Sequence, residues 1–389
     1  MRVFLLIRSF GSGGAERQLA QLAPGLARRG CSVTVGAFYA EGPWLQVLQD
    51  SDVQLIDLRK RGRWDLIGFW RRLRRSIRQS RPDVIYSFLG GANVFSALVH
   101  PFVPRARLVW SIRASDMNLA HYDWAHRLAY AAERRLSSAA DLIISNSAAG
   151  MRFAVANGFP PSRIDVVPNG IDTLAFRPDS SLRRAQRERW GLGSDDIAVG
   201  MLARLDPMKG HRDFLEAARR LRDQRKDLRF MCIGDGQERD RLKALASELQ
   251  LDTAVRFPGP AEDPAMALNG LDVFCSASLW GEGFSNSIGE AMACGVRCVV
   301  TDVGDSAMIA GDSAIVVPPS DPHALARGIL EQLNAPPSVG SEGRERIVEN
   351  FSVDRMVERT CALLEGVVRS RRSIAPGDAA VVREPGTAP

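Results

Sequence analysis

Two carboxylates, Glu282 and Glu290, stand eight residues apart in the segment Ser278-Leu-Trp-Gly-Glu-Gly-Phe-Ser-Asn-Ser-Ile-Gly-Glu-Ala-Met-Ala-Cys-Gly295. Gly281 and Gly283 bracket the first on a turn, and the run from Ile288 to Ala293 reads as helix. A glycine-rich turn feeding a helix leaves backbone N–H groups unpaired at the helix start, where a phosphate can bind. Glu290, inside that helix, can accept a hydrogen bond from a sugar hydroxyl. As an isolated pair, the two would better suit the surface of an ordinary strand–helix unit; the residues around them reverse that. Arg204 and Lys209 follow a second apolar run, Ile197–Met201, and the turn Gly11-Ser-Gly-Gly-Ala-Glu16 follows a third, Arg2–Ile7. That turn lacks the G-x-G-x-x-G spacing of a dinucleotide fingerprint, and no acidic residue closes the next strand. Asp50-Ser-Asp52 mimics a D-x-D metal motif but sits just before a strand, where a turn wants such residues anyway. His100, His121, His126, His211 and His323 show no metal-ligand spacing, and the six cysteines contain no C-x-x-C pair, so no metal site is expected.

The segment around the two carboxylates resembles the signature of the retaining family 4 glycosyltransferases of the GT-B fold. There Glu-Gly-Phe is followed, after a short gap, by Glu-Ala-Met-Ala-x-Gly. The match runs through Glu282-Gly-Phe284 and Glu290-Ala-Met-Ala-Cys-Gly295 and continues into Thr301-Asp-Val-Gly304. Ala203-Arg-Leu-Asp-Pro-Met-Lys-Gly210 is similar to the family's Gly-Arg-Leu…Lys-Gly loop, with Ala203 replacing the usual glycine. Ile233-Gly-Asp-Gly236 and Phe257-Pro-Gly259 resemble the loops that line the nucleotide base, and Pro168-Asn-Gly-Ile-Asp172 the domain-border motif. Gly11–Glu16 resembles the first loop, which approaches the donor phosphates and the acceptor. The similarity extends from Val3 to about Val368.

The resemblance implies metal-independent, retaining transfer of a hexose from a nucleotide diphosphate sugar to a hydroxyl. The acceptor would be a glycan or lipid-linked saccharide of surface polysaccharide biosynthesis, and no cofactor is implied beyond the donor substrate. By resemblance, Glu282 contacts the donor sugar and Glu290 the nucleotide ribose, while Arg204 and Lys209 neutralise charge developing on the diphosphate. Further donor contacts are expected from Gly13, Gly14, Gly283, Phe284, Ser285, Asn286, Gly234, Gly236 and Pro258, and acceptor contacts from Glu16 and Asp116. One position departs from the family pattern. Where many relatives carry a histidine, this chain has Arg113 in Trp110-Ser-Ile-Arg-Ala-Ser-Asp116. Arg113 joins the catalytic candidates as a hydrogen-bond donor, because it cannot act as a base near neutral pH. Front-face attack assisted by the leaving phosphate needs no enzymic nucleophile or strong base. The same scaffold also houses nucleotide-sugar epimerases and hydrolases, and a non-catalytic sugar-nucleotide-binding protein is a third reading. Intact Glu282, Glu290, Arg204 and Lys209 argue against that third reading.

These residues must be held by elements that the apolar pattern marks out. Short apolar runs at Arg2–Ile7, Ser32–Ala37, Val53–Leu58, Val84–Ser87, Leu108–Ile112, Leu142–Ser145 and Ile164–Val167 alternate with helical stretches. The rhythm restarts at Ile197–Met201, Leu228–Gly234, Val255–Pro258, Val273–Ser276 and Val296–Thr301. Alternation of this kind predicts parallel sheets covered by helices on both faces. The fold class is therefore α/β, with two tandem Rossmann-like doubly wound domains facing a cleft. Boundaries fall at 1–172, on the acceptor side by resemblance, and 173–351, on the donor side. A C-terminal helix over 352–370 is able to pack back on the first domain, and 371–389, rich in Pro, Gly and Ala, is expected to be disordered.

At 389 residues the chain exceeds the usual size of a single core, which agrees with two domains. No apolar run approaches the roughly 20 residues that cross a bilayer. Val3–Ile7 is too short for a signal peptide and is cut off by Arg8, so a cytoplasmic location is expected. The cysteines (Cys31, Cys232, Cys275, Cys294, Cys298, Cys361) read as buried free thiols. Charge is uneven. Residues 1–175 carry 23 Lys and Arg against 13 Asp and Glu, whereas the remainder carries 28 against 32. Ten of those cations fall between Arg59 and Arg81, interleaved at helical spacing with Trp64, Leu66, Ile67, Phe69, Trp70, Leu73 and Ile77. The segment reads either as a sheet-covering helix with a solvated charged face or as a peripheral dock for an anionic membrane leaflet. It lacks the patterns of nucleic-acid binding.

Overall fold

The computed structural model describes residues 1–372 apart from Ser12, Arg63 and 114–123. The first unit runs β1 (Arg2–Ile7), α1 (Gly14–Arg28), β2 (Ser32–Ala37), α2 (Leu45–Gln49), β3 (Gln54–Asp57), α3 (Ile67–Ser80), β4 (Val84–Phe88) and α4 (Gly90–Val99). It continues through β5 (Arg107–Ile112), α5 (Trp124–Leu136), β6 (Leu142–Ser145), α6 (Ala148–Ala156) and β7 (Ile164–Val166). The second runs α7 (Ser180–Arg189), β8 (Ile197–Leu202), α8 (His211–Gln224), β9 (Leu228–Ile233), α9 (Arg239–Glu248), β10 (Val255–Gly259), α10 (Pro264–Asn269) and β11 (Val273–Ser276). Then follow α11 (Asn286–Ala293), β12 (Arg297–Thr301), α12 (Ser306–Ala310), β13 (Ala314–Val317), α13 (Pro322–Asn334), α14 (Ser338–Phe351) and α15 (Val353–Arg372).

The strands form two sheets, in the orders β3-β2-β1-β4-β5-β6-β7 and β10-β9-β8-β11-β12-β13, and every pairing between strands is parallel. Strands covered on both faces read as continuous apolar runs, and all five residues of β4, Val84 to Phe88, are buried. Helices cover each sheet with one apolar stripe. In α3 that stripe is Phe69, Leu73 and Ile77, at four-residue spacing. Pro258 is tolerated because β10 is an edge strand, where a missing N–H breaks no ladder on its outer side. β13, which the sequence reading does not mark, is only four residues long and is closed by Pro318 and Pro319. So short a run carries no period that separates strand from loop.

In both sheets the chain reverses its winding between the first strand in sequence and a later neighbour, β1 beside β4 and β8 beside β11. Loops leaving adjacent strands there diverge to opposite faces and open a crevice at the carboxyl edge. The two crevices face one another.

The last described helix, α15, closes the first unit rather than the second. Met356, Val357, Cys361 and Leu364 are buried with Leu19, Leu22 and Leu26 of α1 against β1, β2 and β4. Gly25 lets the helices approach, since a Cβ there would collide with Val357. All six cysteines are unpaired, five of them buried. Burial pushes the Cys232 thiol up to about 12, so it stays protonated. Leu364 is fully buried. Replacing it with Ala should cost about 2–5 kcal/mol of first-unit stability, read as a lower denaturant midpoint in the unfolding transition that reports Trp110.

Candidate functional site

The crevice of the second sheet brings two remote sequence segments together. The loop after β8 carries Arg204 and Lys209, and the loop after β11 carries Glu282. Lys209 Nζ donates to Glu282 Oε1, which also accepts from Ser278 Oγ at 2.6 Å. The loops are laced by the Leu279 N–H donating to Met208 O at 2.8 Å and by Thr301 Oγ1 donating to Ser278 O at 2.6 Å. Gly210 is left-handed (φ 69°) and its missing side chain lets Ala277 O pass. Gly304 (φ 65°) does the same for the backbone of Glu282. Glu282 is therefore fixed on three sides while only 8% exposed. Arg204 stands freer, with its side chain 73% exposed.

α11 begins immediately after this loop, so its first N–H groups, at Asn286 and Ser287, look into the cleft. Across from them α1 begins at Gly14, so close that a Cβ there would lie 3.2 Å from Asn286 Nδ2. Two helix N-termini thus converge on one space, each with the partial positive charge of its dipole. Arg17, one turn into α1, donates to Glu290 Oε1 of α11, and this ion pair crosses the cleft with Glu290 4% exposed.

Arg113 closes the first-unit side. It directly follows β5, lies over the Phe88 ring at 5.2 Å, and donates to Ser111 Oγ at 3.0 Å and Asn169 Oδ1 at 2.6 Å. Burial lowers its pKa from the ordinary arginine value, opposed by Tyr86 and Glu16. Asn169 Nδ2 passes the contact on to Asn286 Oδ1 at 2.9 Å, linking β5 to the start of α11. The border segment is itself tied to α1. Gln18 Nε2 donates to Gly170 O at 2.9 Å, and the Gly170 N–H donates back to Gln18 Oε1 at 2.7 Å. Ile171 pairs with Ser352, so the two chain crossings between the units run side by side. A further brace comes from Asp305, whose carboxylate accepts from the N–H groups of Ala148 and Ala149 at 2.7 and 2.9 Å and so caps α6 from the opposite unit.

The resulting cleft has a volume of about 870 Å³. Of the sequence candidates, Glu282, Arg204, Lys209, Arg113, Glu290, Gly13, Gly14, Glu16, Gly234, Gly283, Phe284, Ser285 and Asn286 line it. Gly236 and Pro258 do not. Gly236 packs on the backbone of Leu205, and Pro258 is exposed on the edge strand, while Pro260 and Ala261 supply the wall expected of Pro258. Asp116 lies outside the described residues. Asp50 and Asp52 stand away from the cleft, and Asp50 accepts from Gln46 at 2.9 Å at the end of α2. Among the described residues, no histidine lines the cleft. His211 begins α8 behind Lys209, and burial, reinforced by Lys209, drops its pKa to about 4, leaving it neutral. Sequence reasoning missed Arg17, although it adjoins Glu16, and Asn169, although it stands in the border motif.

Two family profiles cover most of the chain. One described as Glycosyltransferase Family 4 matches residues 12–174, and one described as Glycosyl transferases group 1 matches residues 196–335. A GDP-mannose-dependent alpha-(1-6)-phosphatidylinositol monomannoside mannosyltransferase of Mycolicibacterium smegmatis is 30% identical over 300 residues, 73% of this chain and 77% of its own. An N-acetylgalactosamine-N,N'-diacetylbacillosaminyl-diphospho-undecaprenol 4-alpha-N-acetylgalactosaminyltransferase of Campylobacter jejuni is 25% identical, covering 77% and 80%. Among solved structures, Anabaena HepE in complex with UDP superposes with a TM-score of 0.80 at 22% identity, over 94% of this chain and all of that one.

The cross-cleft pair carries a direct test. Arg17→Met and Glu290→Gln should each lower stability by about 1–3 kcal/mol, because each strands a partly buried charge or its partner. The double variant should lose less than the sum. A strictly additive double-mutant cycle would show that the pair does not hold the two units together.

Proposed function

The chain belongs to glycosyltransferase family 4 and has its GT-B fold, and on that premise we propose a retaining, metal-independent hexosyltransferase that uses a nucleoside diphosphate sugar. The observation that carries this reading is the convergence of two helix N-termini with Lys209, Arg204, Arg17 and Arg113 around two buried carboxylates. A diphosphate at the start of α11 receives the N–H groups of Asn286 and Ser287 and the cations Lys209 and Arg204. The ribose takes Glu290, sharing the carboxylate with Arg17, which occupies Oε1. Glu282, pinned through one oxygen by Lys209 and Ser278, offers the other to a donor-sugar hydroxyl. Held in this way it is a positioned acceptor and a poor nucleophile, which favours front-face displacement. The C1–O bond to the phosphate breaks as the acceptor hydroxyl bonds to C1 on the same face. Its proton passes to the departing phosphate oxygen. Arg113 stays a donor throughout.

UDP bound in the Anabaena structure and GDP-mannose named for the mycobacterial relative support a nucleotide donor. The lipid-linked saccharides named for the mycobacterial and Campylobacter relatives support an acceptor held at a membrane. No helix among the described residues is long and apolar enough to cross a bilayer, so such an acceptor would be reached from the surface. α3 has the form for that. Arg71, Arg75 and Arg78 project outward and border a groove with Arg74 and Arg81. Trp64 and Ile67, 76% and 69% exposed, stand at its start. Arg72, expected in this cationic face, is used internally: it pairs with Asp65 and donates to Leu58 O at 2.8 Å. Arg74 stacks on Trp70 and Phe102.

Glu290→Ala should weaken nucleotide-sugar binding about tenfold, since ribose hydroxyls would be buried without an acceptor; titration calorimetry decides it. Lys209→Ala should lower turnover by roughly 10²-fold, and the more exposed Arg204→Ala by about tenfold. Activity should persist in EDTA, and NMR of the product should show the anomeric configuration of the donor. An inverted product, or activity restored by Mg²⁺ alone, refutes this mechanism.

Replacing Arg71, Arg75 and Arg78 with Gln keeps good helix formers and leaves Arg72 in place. At about 1 kcal/mol per cation, affinity for phosphatidylglycerol vesicles should fall by roughly 10²-fold, and raised salt should mimic the loss in the unaltered protein. Equal co-sedimentation of both proteins would leave α3 as an outer layer of the first unit.

A further inference from the structure

Behind Arg113 lies a second cavity of about 100 Å³, and Leu89 and Arg113 line both it and the cleft. Phe153 and Phe159 give it an apolar wall. Two polar groups face that wall from α5, Tyr130 and Glu133, three residues apart and therefore on one side of the helix. The Tyr130 hydroxyl is buried and has no hydrogen-bond partner among the described residues. Glu133 is 7% exposed, and no cation pairs with it among the described residues. Its Oε1 accepts from Asn93 Nδ2 at 2.6 Å, and Oε2 lies over Gly90, where a Cβ would come within 2.8 Å.

The carboxylate is held in place by a buried network. Asn93 Nδ2 also donates to Ser111 O at 3.2 Å, and its Oδ1 accepts from Ser87 Oγ at 2.8 Å. Ser96 Oγ joins Ser87 at 2.9 Å and accepts from Trp110 Nε1 at 3.2 Å. Burial pushes the Glu133 carboxyl above its ordinary range. Buried polar groups are nearly always satisfied, so a lone hydroxyl beside a carboxylate with one hydrogen bond calls for a partner. Leu89, where cavity and cleft meet, adopts φ 72°, a backbone conformation costly for leucine, and strain of this kind collects at ligand sites.

We propose that this cavity is a subsite for the acetamido group of an N-acetylated acceptor sugar. The methyl lies against Phe153 and Phe159, the amide N–H donates to Glu133, and the carbonyl oxygen accepts from the Tyr130 hydroxyl. The space corresponds to about three waters at roughly 30 Å³ each, enough for that small substituent and too little for a sugar ring, which stays in the cleft beyond Arg113. A hydroxyl in the same position would leave Tyr130 unsatisfied and the apolar wall uncovered. The proposal rests on the reading of the cleft as a glycosyl-transfer site and specifies the class of acceptor.

Saturation-transfer NMR tests it with methyl N-acetyl-α-glucosaminide and methyl N-acetyl-α-galactosaminide against methyl α-glucoside and methyl α-galactoside, each with and without UDP or GDP. The acetyl methyl protons should receive the strongest saturation, and the N-acetyl sugars should bind at least tenfold tighter than their parents. Tyr130→Phe and Glu133→Gln conserve size, and each should cut that preference threefold or more, with thermal melting checking that the fold persists. Ala154→Leu fills the cavity and should abolish the acetyl signal; should it unfold, the Tyr130→Phe result still decides. Equal binding of N-acetyl and parent sugars, or full preference retained in Tyr130→Phe, overturns the subsite. Failure of the unaltered protein to bind either nucleotide overturns the glycosyl-transfer reading instead, and the sugar titrations without nucleotide still judge the cavity.

Discussion

Two helices that start at one another across a narrow gap set the terms for everything else in this molecule. α1 and α11 both direct the positive ends of their dipoles into the cleft, and Gly14 brings them within van der Waals reach of Asn286. Like ends repel, so the arrangement needs negative charge between them or beside them. The chain supplies some itself. Glu16 folds back over Gly13, and Glu290 of one helix accepts Arg17 of the other. A bound diphosphate would supply more, and the anion would then complete the interface that binds it. Substrate affinity and the joining of the two units are, on this view, the same electrostatic term.

The rest of the framework keeps those helix ends in register. Gln18 grips both polar atoms of Gly170, Asn169 joins Arg113 to Asn286, and Asp305 caps α6 from the far side. Each brace replaces a water-facing hydrogen bond with an internal one, so each contributes little net stability but much geometric definition. Arg113 shows the same economy. The family resemblance implies a histidine at this position; here a planar guanidinium holds the border segment and lines both the cleft and the cavity behind it. A neutral imidazole ring, with its single N–H, could donate to only one of Ser111 Oγ and Asn169 Oδ1.

Much of this was legible in the residues because it is local. Parallel strands buried on both faces declare themselves as apolar runs, and the glycines around Glu282 mark a loop that must pass close to other backbone. The relations that escaped are those between distant segments. Arg17 reads as one more polar residue of an amphipathic helix until its partner 273 positions away is placed opposite. Arg72 is indistinguishable in sequence from Arg71 and Arg75, yet the turn of α3 sends it inward to Asp65 while its neighbours face solvent. Pro258 lies within the edge strand β10 and Pro260 just beyond its end, where the chain turns along the cleft, and the sequence pattern does not encode that boundary.

The position of α15 has a bearing on how the protein comes into being. Its apolar face is part of the core built around α1, although it is the last of the described helices in chain order. On a ribosome the elements that need it emerge first and must wait for it. The second unit, continuous from α7 to α14, can complete its own core before α15 appears. The usual order of domain folding during synthesis, N-terminal before C-terminal, is then reversed. Until translation reaches Leu364, the surface formed by Leu19, Leu22 and Leu26 stays uncovered, and the nascent chain is open at that stage to chaperone capture.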